Sequence, residues 1–346
     1  MKYNILFFFI LSCILLSCNN NLENKNPNVI IVITDDQGYG DIAYNDNKKI
    51  ITPNLDKFAN ESLRFNNFHV SPVCAPTRSS LLTGRYSLRT GVTDTYNGGA
   101  IMSSTEITLA EIFAEKNYKT GIFGKWHLGD NYPSRPSDQG FQESLIHLAG
   151  GIGQVGDFTN YYAGNESYYD PALWLNNEIK KYEGYCSDIF TDEALKFIEQ
   201  NKSNQFFCYL SFNAPHTPLQ VPEKYYDLYK DIDSSNFYEE VTSEMTERDV
   251  NDAKKIYGMV TNIDENFGKL LYKLEELDIK ENTIVIFLTD NGPQQTRYVS
   301  NLRGLKSQVY NGGIKVPLYF SYPKPVSCTH LRAHETREDR VCRLLR

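Results

Sequence analysis

Positive charge is scarce in this chain of 346 residues, where 35 lysines and arginines stand against 43 aspartates and glutamates, for a formal net charge of -8. Broad binding to nucleic acid needs a basic footprint that displaces counterions from the phosphates, so no nucleic-acid partner is expected. An anionic ligand would need a local cationic pocket instead. Long apolar runs are nearly absent too. The longest, Ile5 to Leu16, falls short of the roughly 20 residues that a helix needs to cross a bilayer. Usable cysteines are few: of seven, Cys13 and Cys18 lie in the N-terminal apolar segment, Cys328 and Cys342 in an atypical tail, and Cys74 in a motif of its own. Only Cys186 and Cys208 remain, as a disulfide or as two buried thiols. What is plentiful is ordinary globular material: 41% hydrophobic and 23% charged residues exclude a disordered or fibrous chain.

The first eighteen residues have the layout of an export signal, with Lys2 ahead of the apolar run and Leu15-Leu16-Ser17-Cys18 after it. That ending resembles a bacterial lipobox. It would put lipid on Cys18, with residues 19–27 as an Asn-rich tether and the protein anchored in the periplasm or at the cell surface. Ile10-Leu11-Ser12-Cys13 is a second candidate, and a plain secretory signal or an uncleaved anchor are the alternatives. At the other end, residues 327–346 hold five of the thirteen arginines and none of the twenty-two lysines. This shift suggests a reading frame that runs into foreign sequence after about Val326, with a genuine basic tail as the alternative, so Cys328, His330, His334 and Cys342 are not taken as a metal site.

Between these ends, Val29 to Ile33, Phe206 to Phe212 and Ile284 to Leu288 have the continuous apolar character of strands buried on both faces, which implies a mainly parallel sheet. Helical patterns cover Asn54 to Ser62, Leu109 to Lys116, Asp188 to Gln200 and Val250 to Leu277. The alternation predicts an α/β fold with helices on both faces, occupying residues 28–326. Tyr132 to Tyr185, rich in Gly, Tyr and Asn, is expected to form long loops near a site.

Two strand patterns share one design. Val29 to Ile33 runs into Thr34-Asp35-Asp36, and Ile284 to Leu288 into Thr289-Asp290-Asn291. Ligands collect at the carboxyl ends of strands in open parallel sheets, so both ends can meet at one place. Three carboxylates that close repel one another unless a cation lies between them. An all-oxygen set of Asp35, Asp36, Asp290 and Asn291 suits a hard ion, calcium or else magnesium, rather than zinc.

A second pattern is Cys74-Ala75-Pro76-Thr77-Arg78, followed by Ser79-Ser80-Leu81-Leu82-Thr83-Gly84-Arg85. Pro76 fits the first turn of a helix and Gly84 its end, which sets residue 74 at a helix N-terminus, a natural place for an oxyanion. C-x-P-x-R followed by S-x-L-x-T-G-R resembles the signature of the type I sulfatases, members of the alkaline-phosphatase-like superfamily. Companion segments stand in family order: Gly124-Lys125-Trp126-His127-Leu128-Gly129, Asn213-Ala214-Pro215-His216-Thr217-Pro218 and Gly304-Leu305-Lys306.

The resemblance implies that a separate maturase oxidises Cys74 to formylglycine, whose hydrate attacks the sulfur of a sulfated sugar or aryl sulfate. Calcium would be held by Asp35, Asp36, Asp290 and Asn291 together with residue 74. It further implies that Arg78 fixes the diol, that Lys125 and Lys306 balance sulfate charge, that His216 protonates the leaving alcohol and that His127 deprotonates the second hydroxyl. His147 is either a substrate contact or a structural group. Two departures stand out. Asn311 and Lys315 replace the Glu and Arg of the family's E-G-G-x-R-V-P segment, and the smaller C-terminal subdomain of the family is expected to be missing. The competing functions are a phosphonate or phosphate ester hydrolase of the same superfamily, and a lipoprotein that binds sulfated glycans without turnover.

Overall fold

The computed structural model describes residues 26–233 and 245–323. The signal segment with Cys13 and Cys18, and the tail from residue 324 onward with its cysteines and histidines, lie outside the described residues. Among the described residues no helix is long and apolar enough to cross a membrane.

Among the described residues nine strands form one sheet: β1 (Asn28–Thr34), β2 (Leu63–Arg64), β3 (Lys119–Lys125), β4 (Glu143–His147), β5 (Ala172–Leu175), β6 (Glu178–Lys181), β7 (Phe206–Ser211), β8 (Thr283–Thr289) and β9 (Leu318–Ser321). Their order is β2-β9-β8-β1-β7-β3-β4-β5-β6. The middle of the sheet is parallel, since β8, β1, β7, β3 and β4 all run the same way, and both flanks are antiparallel. The helices are α1 (Pro53–Glu61), α2 (Cys74–Thr83), α3 (Leu109–Glu115), α4 (Cys186–Gln200), α5 (Glu223–Tyr226), α6 (Glu247–Glu276) and α7 (Asn311–Ile314).

Both faces of the central strands are covered, which is why these strands read as unbroken apolar runs rather than alternating ones. On one face Ile30, Val32, Cys208, Leu210, Val285 and Phe287 pack against α1, α4 and α6. On the other, Ile31, Ile33, Phe207 and Tyr209 meet Ala75 and Leu82 of α2 and Ala110 of α3. Cys186 and Cys208 are both buried free thiols in the first of these layers, not a disulfide. Helix α6 starts at Glu247, three residues before the periodic pattern does. The reason is a capping box in which Thr246 accepts from the Asp249 amide while Asp249 accepts from Thr246.

The stretch from Tyr132 to Tyr185 is not all loop. It contains β4, whose Leu145 and Ile146 are buried, and the β5–β6 hairpin. The hairpin turns at Asn176 and Asn177, with φ of 48° and 72°, the left-handed pair that a two-residue turn demands and asparagine tolerates. These strands escape periodicity because they are four or five residues long and lie at the sheet's edge, with every residue of β6 exposed.

Phe267 of α6 joins three elements: its ring meets Phe58 of α1 edge-on at 5.0 Å and Phe287 of β8 at 5.5 Å. Truncation to Ala should cost about 3–5 kcal/mol, the range for a large aromatic removed from a packed core. Tyr272→Ala on the same helix, 67% exposed, should stay within about 0.5 kcal/mol. Denaturant midpoints at constant m-value would check both; equal losses would contradict this account of the core.

Candidate active site

β1 and β8 pair in register from Asn28 opposite Thr283 to Thr34 opposite Thr289. The residues after them therefore emerge side by side. The Asp290 amide donates to the Thr34 carbonyl at 3.1 Å, the Asp36 amide to Asp290 Oδ1 at 3.1 Å, and Asn291 Nδ2 to Asp36 Oδ1 at 2.8 Å. All four side chains are buried. Asp36 takes a left-handed backbone (φ 63°), and Arg297 holds it there by donating to its carbonyl at 2.8 Å. The same guanidinium pairs with buried Asp41 at 2.6 Å.

Cys74 begins α2 and Gly84, with φ of 67°, ends it. The thiol is 1% exposed and shares a space with Asp35 and Asp290, their ligand atoms all within 4.8 Å of one another. Arg78, one turn on, donates to Asp290 Oδ2 through Nε at 3.0 Å and Nη2 at 2.8 Å, and to Ser211 Oγ through Nη1 at 2.5 Å. Its described contacts therefore anchor a carboxylate beside residue 74. Lys125, at the end of β3, donates to Asp35 Oδ2 at 2.5 Å. It gets there because Gly124 lets the strand press on β7: a Cβ at Gly124 would stand 1.8 Å from the Ser211 carbonyl oxygen. Lys306 reaches Asp36 Oδ1 at 2.6 Å. Its loop is tied by the main chain, with Lys306 N bonded to the Pro293 carbonyl and Ser307 N to that of Pro72. Gly312 lies so close to Gly304 that a Cβ would be 2.0 Å from its carbonyl oxygen. Backbone contacts thus support this loop despite Asn311 and Lys315, and Lys315 stacks over Tyr39 at 5.0 Å.

The two histidines have opposite tautomers. Carbonyl oxygens only accept, so His127 must donate from Nε2 to Thr95 at 2.9 Å, leaving the lone pair of Nδ1 facing Cys74 Sγ at 3.5 Å. His216 donates from Nδ1 to the Thr217 carbonyl at 2.6 Å, and its Nε2 faces Asp36 Oδ2 at 3.7 Å. Burial pushes His127 down to about 3, with Lys125 adding to the effect. Burial likewise takes His216 to about 3 against the pull of Asp36. Burial and the neighbouring charge of Asp35 raise Asp290 to about 6 despite Arg78. For Asp36 burial acts upward too, but Lys306 and His216 outweigh it and hold the carboxyl below its ordinary value. His147, by contrast, is fully buried behind the site, its ring 6.4 Å from Phe190, and does not line the cavity over residue 74.

A metal fits this set. Asp35 Oδ1, Asp36 Oδ2 and Asn291 Oδ1 are buried oxygens with no hydrogen-bond partner. Buried acceptors are normally satisfied, and all three belong to residues singled out as cation ligands. The donors are hard oxygens, as calcium or magnesium prefers. Above them a cavity of about 500 Å³ opens between Cys74, His127, His216 and Lys306. Sequence reasoning missed Ser211, Thr95 and Arg297; each is a common residue whose role exists only through a partner far away in the chain.

The sulfatase family model matches residues 27–326. This chain belongs to the sulfatase family. It is 30% identical over 331 residues to an ulvan-active sulfatase of Formosa agariphila, covering 91% of this chain and 61% of that one. To arylsulfatase J of Mus musculus it is 29% identical, covering 84% of this chain and 47% of the other. Such curated relatives are thus matched over only about half to three fifths of their length. Among solved structures, Ps i-CgsB superposes with a TM-score of 0.74 at 31% identity, over 87% of this chain and 67% of that one. A second structure of it, in complex with k-i-k-neocarrahexaose, gives 0.75 at 29% identity, over 92% and 74%. The likeness to a phosphonate monoester hydrolase of Agrobacterium radiobacter, at 16% identity and a TM-score of 0.61, is one of fold.

The Arg297–Asp41 pair is expected to matter beyond its distance from the cavity. Arg297→Met strands a buried carboxylate and should destabilise the fold by about 3–5 kcal/mol. It should also weaken cation binding at Asp36 in the folded protein. Denaturation and calcium titration of the variant test this, and wild-type values in both would refute it.

Proposed function

We propose that the protein hydrolyses sulfate esters of a carbohydrate, using formylglycine made from Cys74 by a maturase and calcium held by Asp35, Asp36, Asp290 and Asn291. Three buried, unpartnered oxygens on Asp35, Asp36 and Asn291, beside a Cys74 that starts a helix and whose thiol lies within 4.8 Å of ligand atoms of Asp35 and Asp290, carry this reading. A carbohydrate substrate is supported by the relatives that are named for ulvan or solved with a neocarrahexaose.

Formylglycine at residue 74, when hydrated, would supply two hydroxyls on one carbon, a nucleophile and a second acidic hydroxyl that serine does not have. Calcium supplies positive charge that favours the deprotonated oxygen. The chain's own residues do the rest. Lys125 and Lys306 bring positive charge to the two sides of the carboxylate cluster, where it can offset sulfate charge moving toward the leaving oxygen. Arg78 keeps Asp290 in place. His127 offers the unprotonated Nδ1 toward residue 74 and so takes the proton of the second hydroxyl. His216 stands across the cavity with Nε2 bare, and it becomes the donor to the departing alcohol once the negative charge of a bound sulfate, added to that of Asp36, brings a proton to that nitrogen.

Mass spectrometry of the peptide around residue 74, from protein made with a maturase, should show the aldehyde in place of the thiol. Sulfate release should scale with the modified fraction, vanish in Cys74→Ala and in Asp35→Ala, and exceed phosphate release from the matching aryl phosphate. Full activity with cysteine alone, or after exhaustive chelation, would sink the reading.

The role of His216 has its own test. His216→Ala should lose at least about tenfold more kcat on an alkyl or sugar sulfate than on nitrophenyl sulfate, whose leaving group needs no proton. Equal losses on both would move the acid role to Lys306.

A further inference from the structure

We propose that the groove beyond Thr217 is a carbohydrate subsite for the sugars attached to the sulfated one, so that the substrate is an oligosaccharide or polymer rather than a single sugar. This rests on the sulfate-ester reading above.

The groove measures about 970 Å³, nearly twice the 500 Å³ over residue 74. One thin wall separates them. His216 lines the cavity and Thr217, the next residue, lines the groove. Gln154 of the cavity braces the wall by donating to the Thr217 carbonyl at 3.0 Å and to its Oγ1 at 2.9 Å. Sulfate is held at residue 74, so the leaving oxygen and the sugar that bears it face His216. A chain continuing from that sugar on the His216 side reaches Thr217 next.

The surface it meets suits saccharides. Tyr169, 38% exposed, and Tyr226, whose hydroxyl donates to Asn251, line it with aromatic carbon and polar edges. Sugars alternate C–H faces with hydroxyl rims, and such rings match both. From α6 come Arg248, Asp252 and Lys255, which at spacings of four and three lie on one helix face. Arg248, highly exposed, lies 3.8 Å from Asp252 in a weak surface pair, whereas half-buried Lys255 makes no ion pair among the described residues. Gln294 and Gln295, just past the Asp290-Asn291 strand end, add amides. With Glu223 and Asp252 also present, the groove is not strongly cationic. It is therefore matched to neutral sugars with at most one sulfate, at Lys255, and not to a densely sulfated chain.

The test compares sulfate release by the matured protein from nitrocatechol sulfate, and from sulfated disaccharides and hexasaccharides prepared from galactan, glycosaminoglycan, fucan and ulvan. At least one hexasaccharide should exceed its disaccharide in kcat/KM by about tenfold or more. Lys255→Ala and Tyr226→Ala should each erase most of that gain through KM while nitrocatechol sulfate hydrolysis stays within about twofold of wild type. No hexasaccharide advantage, or equal losses on the aryl sulfate, overturns the subsite. Binding of the same hexasaccharides to a Cys74→Ala background by affinity electrophoresis separates the two claims. If no compound loses sulfate but retention falls with Lys255→Ala, the hydrolase reading fails and the groove stands. Retention indifferent to both groove variants removes the groove whatever the enzyme does.

Discussion

Three carboxylates shut away from water at the ends of two adjacent strands set the terms for everything around them. Asp35, Asp36 and Asp290 have almost no exposed surface. At an effective dielectric constant near 20, two like charges 4 Å apart repel by about 4 kcal/mol. The fold answers with three cations from three different places: Arg78 one turn into α2, Lys125 at the tip of β3, and Lys306 on a loop tied down by glycines. Lys125 meets Asp35, Lys306 meets Asp36, and Arg78 meets Asp290 at 2.8 Å and Asp35 more loosely at 3.9 Å, while oxygens of Asp35, Asp36 and Asn291 are left without a hydrogen-bond partner. A cluster with that pattern of pairing has acidic groups that could hold a metal ion, and it lies beside the residue that starts α2.

The same constraint explains why the glycines fall where they do. Gly124 permits the contact with Ser211 that aims Lys125, and the Gly304–Gly312 approach brings Lys306 within reach of Asp36. Behind the first layer, Arg297 supports an unusual backbone at Asp36, and Thr95 selects which nitrogen of His127 is free. Residues of this kind touch no reacting atom, yet they decide the direction in which charge and protons are presented.

Much of this was legible in the sequence, for identifiable reasons. The carboxylates could be found because an apolar run ending in Thr-Asp-Asp or Thr-Asp-Asn occurs twice, and a doubled pattern is hard to assign to a simple turn. The remaining site residues were legible through motifs in family order, and the central strands through apolar runs buried on both faces. The braces were not legible, because Ser211 acts on Arg78 across 133 positions and Arg297 on Asp41 across 256. The edge strands were missed for a different reason. Four residues carry too few alternations to show a period, and the one local signal, the Asn176-Asn177 pair at the turn, went unread within a segment taken as loop.

The place of β1 in the sheet has a bearing on timing. It is the first strand made, yet its two neighbours are β7 and β8, whose partner residues lie 178 and 255 positions downstream. A chain released amino end first cannot close the middle of its sheet until residue 289 has emerged, and pairings so remote in sequence form late. Throughout that interval the segment around Cys74 has no carboxylate nest to retreat into. Topology thus acts as a clock that keeps Cys74 open to solvent until the last strand of the central sheet is in place.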